Sequence, residues 1–255
     1  MKKPVIYPFG SKTEFVTVLV VVAEVGSTAT VYRQYGSEPA EVVRGASNVP
    51  VTRSEQLFID YEVPQDYEIT YWVESQQGKD SALSDKKKIG PYNFGGDVIF
   101  DLADPKRGMV INVESFPQMN HTISRDVQRV WGRPDPVVIS GVREFPSGTL
   151  NVLTLTLEER ANFLAIIQNG SSVAFAPHKS VYGLPGLMYL AVGNVTESRV
   201  TELAREETRR WALEVQQVTP PPATYRYPAY GKTWRELREQ NWRKYMNDQW
   251  WEAIA

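Results

Sequence analysis

Between Tyr67 and Val73 the chain alternates, with Ile69, Tyr71 and Val73 on one side and Glu68, Thr70 and Trp72 on the other. A period of two suits a pleated strand with one buried face, and β-branched and aromatic side chains fit that surface best. The same signature recurs upstream. Phe15–Glu24 is a valine-rich, β-prone run closed by Gly26-Ser27, and Thr28–Tyr35 is closed by the turn signal Gly36-Ser37-Glu38-Pro39. Glu41–Arg44 and Gln56–Tyr61 are further strand candidates. No sustained helical period interrupts them. Short strands separated by turn residues predict a β-sandwich over residues 1–90.

Lys86-Lys87-Lys88, Gly90-Pro91 and Gly95-Gly96 mark Asp85–Gly96 as a linker and domain boundary. A second β-domain is expected over 97–222. Gly108–Val113 reads as a strand, and Val137–Arg143 with Thr149–Thr156 reads as a hairpin around Phe145-Pro146-Ser147-Gly148. One helix follows. Thr156 and Glu159 form a capping box, Leu157, Ala161, Leu164 and Ile167 give an apolar face, and Asn169-Gly170 ends it. Ser172–Ala176, Met188–Val195 and Arg210–Val218 complete the strands, with Trp211 as a core residue, and Pro220-Pro221-Pro222 leads out of the domain.

The chemistry-bearing residues are sparse. There is no cysteine, which removes thiol catalysis, disulfides and thiolate-bound zinc. The two histidines, His121 and His178, lie far apart and neither stands in a nucleophile motif. Asp97, Asp101 and Asp104 cluster without the spacing of a calcium loop, and Asp104-Pro105 reads more simply as a turn. No P-loop, Gly-x-Gly-x-x-Gly or Gly-x-Ser-x-Gly is present. No catalytic residue, cofactor or metal is therefore assigned, and the chain is not expected to be an enzyme. With 28 basic and 30 acidic residues there is no nucleic-acid footprint. The apolar run Phe15–Ala23 is too short for a span, which needs about 20 residues, so no direct membrane insertion is expected.

The anomaly is the tail, residues 223–255, which carries four of the seven tryptophans. Thr233-Trp234-Arg235-Glu236 is a second capping box. On the helix it starts, Trp234, Leu237, Trp242, Tyr245, Met246 and Trp250 sweep a broad apolar arc, with Trp251 partly outside it. So wide an arc has two readings: the tail docks on its own β-domain, or it inserts into a neighbouring subunit. The second is favoured, and these seven residues are the expected subunit interface. The fold class is thus mostly β, with two β-sandwich-like domains, one α-helix in the second and a C-terminal helical arm.

Trp131-Gly132-Arg133-Pro134-Asp135-Pro136-Val137-Val138-Ile139-Ser140 resembles the Gly-Arg-Pro-x-Pro-Val-Val segment of minor tail proteins from long-tailed phages of actinobacteria. Gly148-Thr149-Leu150, the Thr156–Asn169 helix, Ala191-Val192-Gly193-Asn194-Val195, Arg209–Val215 and Thr233-Trp234-Arg235-Glu236-Leu237 follow in that family's order. The resemblance covers about 97–255. Tyr61-Glu62-Val63-Pro64 followed by Tyr67–Val73 resembles the fibronectin- or immunoglobulin-type sandwich that often precedes such a domain. The resemblance implies a virion structural protein of a tail tip or baseplate, located in the virion tail and in the host cytoplasm during assembly. It implies a homo-oligomeric three-fold or six-fold ring and contacts with other tail proteins. The alternative is a host-attachment or carbohydrate-binding module with a host-envelope glycan as partner.

Overall fold

The computed structural model describes residues 2–11, 15–102, 104, 107–116, 119–129, 131, 135, 137–168, 172–178, 184–201 and 205–220. The chain divides into two compact units, one running to Phe94 and the other holding Gly95–Ala103 and Arg107–Pro220.

In the first unit, β1 (Val5–Ser11), β2 (Val16–Val22) and β6 (Glu55–Asp60) form an antiparallel sheet in the order β1-β2-β6. The second sheet centres on β3 (Thr28–Tyr35) and β7 (Ile69–Gln77). Around them are β4 (Glu41–Val42), β5 (Val49–Pro50), β8 (Asp80–Leu83) and β9 (Lys87–Ile89). Ile6, Leu19, Val21 and Phe58 from the first sheet meet Ala29, Val31, Ile69, Tyr71 and Val73 from the second in one core. The Tyr67–Val73 alternation works as expected: Ile69, Tyr71 and Val73 are fully buried. The expected linker is not all linker, because Lys87–Ile89 pairs with Ile69–Tyr71 as a strand of this unit.

The second unit is built on one antiparallel sheet of β10 (Asp97–Asp101), β11 (Gly108–Ser115), β12 (Met119–Asn120), β15 (Ser147–Thr154), β16 (Val173–Ala176), β17 (Met188–Arg199) and β18 (Arg209–Gln217). Its order runs β11-β10-β16-β17-β18-β15, and β11 then pairs with β15 as well. The sheet therefore closes on itself as a six-stranded barrel, and its two layers are continuous. Closure removes the edge-strand problem wherever it holds. Leu150, Val152, Trp211, Leu213 and Val215 fill the interior.

The hairpin expected around Phe145–Gly148 does not form. β14 (Val137–Arg143) pairs instead with β13 (Ile123–Gln128), while β15 pairs with β18, β11 and β12. A turn signal fixes a change of direction, not the partner taken after it.

The helix α1 (Leu157–Ile167) starts where the capping box puts it. Thr156 Oγ1 accepts from the Glu159 amide at 3.1 Å, while Glu159 reaches back to the Leu155 amide at 2.7 Å, one residue beyond the usual box partner. Its buried face differs from the one expected. Phe163 and Ile166 are inside, Leu164 and Ile167 are partly covered, and Leu157 and Ala161 are exposed. The reason is the partner: Phe163 packs on the Trp211 ring at 5.3 Å, so that stripe turns inward. The described residues are thus mostly β with a single helix.

Candidate assembly surface

The seven arm residues expected at an interface, Trp234, Leu237, Trp242, Tyr245, Met246, Trp250 and Trp251, lie outside the described residues. So do Gly132, Arg133, Pro134 and Pro136 of the tail-protein segment, whereas Trp131 and Asp135 are described and exposed.

Around Trp131 stands a feature that strand-by-strand reading missed. β13 and β14 form a two-stranded ribbon that pairs with no other described strand. Val127 and Val138 sit directly opposite each other across it and are both about half exposed, at 56% and 52%. Trp131, in the segment between the two strands, is completely exposed. Such a ribbon is marginal in water by itself. The signal for β13 in Ile123–Gln128 is weak because polar residues break its alternation.

A second open stretch lies on β17. Only Met188–Leu190 pair with β16, while Leu190–Arg199 pair with β18 through a register shift between Val192 and Val195. Beyond Leu190, one edge of β17 has no strand partner among the described residues. From Gly193 to Arg199 every residue is exposed, although the Glu197 side chain is partly covered. Among the described strands, then, the barrel closes around one end of this strand, and the flared end beyond Leu190 is the stretch with no partner on that edge.

At the flared end, Leu157, Arg160, Glu197, Ser198, Arg199 and Arg209 line an open cleft of about 310 Å³. Arg160 binds Glu197 bidentately, Nε to Oε1 at 2.6 Å and Nη2 to Oε2 at 2.9 Å, and Arg209 Nε lies 3.3 Å from Glu197 Oε1. The hydrogen bond from Arg160 and the charges of Arg160, Arg209 and Arg199 hold the Glu197 carboxyl below the usual glutamate range. Arg199 lies directly across the strand pair from Arg209. Like charges so placed repel, and Glu197 is what offsets them.

The other candidate residues do not converge. The Asp97 carboxylate accepts from the His178 backbone amide at 2.8 Å, and Asp101 is fully buried on the same strand. His121 is exposed in the segment leading to β13. Among the described residues no group of three His, Cys, Asp or Glu side chains is placed to hold a metal ion. A shallow groove of about 450 Å³ lies over Ser147, Thr149, Ala191, Gly193 and Glu214, with one carboxylate in it. The chain matches no protein-family profile and no curated protein.

Proposed function

We propose that this chain is a structural protein of a phage tail tip, assembling with copies of itself and with other tail proteins. The observation that supports the reading is the pair of unsatisfied β elements on the second unit, the β13–β14 ribbon and the outer edge of β17. Among the described residues each has an edge with no strand partner, and such edges are how sheets recruit another chain. They are different elements, so joining one to the other between copies is a head-to-tail contact. Such contacts generate rings when the rotation closes. The resemblance around Trp131–Ser140 supplies the tail and the three-fold or six-fold order expected of such a ring.

The test is the double variant Val127→Asp, Val138→Lys. It replaces the exposed apolar pair by opposite charges that still suit cross-strand neighbours. The expected result is at least about tenfold weaker self-association or incorporation into tails, on the order of 1.4 kcal/mol, with a monomer melt changed by less than about 0.5 kcal/mol. Unchanged assembly, or a particle reconstruction in which copies touch no sibling, would defeat the reading.

A second reading, attachment to a host-envelope glycan, is favoured by one observation only. Trp131 is fully exposed and could stack on a sugar ring. Fluorescence titration of the wild type and of Trp131→Ala with host-envelope glycan separates the two, because a scaffold shows no saturable change in either.

A further inference from the structure

The β1-β2-β6 sheet carries large apolar side chains on both faces. Its inner face supplies Ile6, Leu19, Val21 and Phe58 to the core. Its register sets the outer face in cross-strand rows. Phe9, Val18 and Ile59 form one row, Tyr7, Val20 and Leu57 the next, and Val5, Val22 and Glu55 the last. An antiparallel sheet with a solvated face normally reads polar on it; here only Glu55 is charged.

Exposure varies across this face in an informative way. Val5 and Tyr7 on β1 are 36% and 47% exposed, whereas the outward Val16, Val18 and Val20 of the central strand are at 6%, 5% and 5%. None of these three valines belongs to the core between the sheets. Flanking strands shield the sides of a central strand but not its face. Every described strand of this unit lies in one of the two sheets, so none of them lies over that face.

We propose that the outer face of the β1-β2-β6 sheet is the docking surface for the chain's own C-terminal arm, residues 223–255. The composition fits, since the arm brings Trp234, Leu237, Trp242, Tyr245, Met246 and Trp250 on one arc. The dimensions fit as well. Three strands about 4.8 Å apart give a face about 10 Å across, the width of one helix. A helix from Thr233 to Ile254 is about 30 Å long, enough to run the length of a seven-residue strand, about 23 Å. The lead from Val218 to Lys232, in an extended proline- and tyrosine-rich path, reaches up to about 45 Å. This adopts the cis reading of the arm in place of the neighbour-docking one, and it does not rest on the assembly proposed above.

The chain has no cysteine, so an introduced pair is the only one that can form. Tyr7→Cys is combined in turn with Arg238→Cys, Asn241→Cys, Lys244→Cys and Asp248→Cys, which leaves the aromatic arc intact, and the full chain is oxidised. The expected result is a cross-linked monomer for at least one pair, migrating faster than the reduced chain in denaturing electrophoresis. Cross-linked dimers alone would place the arm on a second copy and overturn the proposal, and so would the absence of any cross-link. Deleting 223–255 gives an independent check. Loss of the cover should lower the melting temperature and raise binding of an apolar dye. A truncated chain with an unaltered melt and no dye binding would overturn it.

Discussion

The two units place most of their charge differently. The first buries a charged network inside its sandwich. Arg33 donates to Asp60 at 2.7 Å and to Glu41 at 2.7 Å, Arg44 pairs with Glu62, and the Tyr71 hydroxyl donates to Asp60 at 2.7 Å. Arg33, Arg44, Asp60 and Glu62 are all nearly inaccessible. Burial, first, and the nearby Asp60 charge push the Tyr71 hydroxyl well above its ordinary range, so it stays a donor at any physiological pH. The second unit fills its barrel with apolar side chains, where one polar contact is the Trp211 indole donating to Thr154 at 3.0 Å. Its pairs Arg160–Glu197 and Arg210–Glu114 are partly exposed, while the buried Asp97 and Asp101 sit on β10. Buried charges that all find partners help to specify one arrangement at the cost of desolvation. A unit built like the first is settled internally, while the second leaves backbone and charge to be settled at its surface.

The largest effect should come from breaking the first unit's network. Asp60→Ala removes an acceptor from both Arg33 and Tyr71 and leaves a buried guanidinium under-compensated. The expected cost is about 3–5 kcal/mol, read as an early transition in urea denaturation of the full chain, with the second unit's transition unmoved. A loss below about 1 kcal/mol would mean that water or Glu41 takes over the charge. The contrast between the units would then fail.

That contrast was only half legible in the sequence. The strands at Phe15–Glu24, Thr28–Tyr35 and Tyr67–Val73 could be read because their period and turns are local properties. The helix start at Thr156 was legible for the same reason. The Arg33–Asp60–Glu62 network was not, because its members come from β3, β6 and the loop after β6, and meet only once two sheets have packed. Barrel closure through β11–β15 was hidden too, since Asn112↔Leu153 is a long-range pairing that no window of residues contains. Val137–Arg143 was legible as a strand, but its partner β13 escaped because an exposed strand has no need of alternation. Of the surface that supports the assembly reading, β14 and the start of β17 were thus legible as strands, while β13 and the pairings were not.

A middle-sized effect sharpens the comparison from the barrel side. Thr156→Ala removes the oxygen that accepts from the Glu159 amide, and an N-cap loss of this kind costs about 1 kcal/mol. The loss should appear in the second unit's transition alone. Phe163 and Ile166 hold α1 by packing, so the helix should persist by circular dichroism while the midpoint falls. An equal fall in the first unit's transition would show that the units do not melt separately.

The smallest effect concerns the surface charges of the second unit. The folded-state pKa of Glu197 is depressed, chiefly by its hydrogen bond from Arg160. A depressed carboxyl contributes stability that is fully present above the unfolded value, about 4.3, and is lost as pH falls through the lower folded value. Protonating Glu197 also uncovers the Arg199–Arg209 repulsion across β17 and β18. Acid should therefore loosen this end of β17 before it affects the apolar barrel, with lower amide protection, corrected for the intrinsic rate at each pH, at residues 195–199 as pH falls through the depressed folded value. Glu197→Gln should bring the same loosening to neutral pH and flatten the acid dependence there. Both effects should shrink in high salt, because the pairs are partly exposed and screened. If protection at 195–199 ignores both pH and the substitution, backbone pairing with β18 alone holds the strand, and its outer edge is rigid enough to serve as a template without help from its charges.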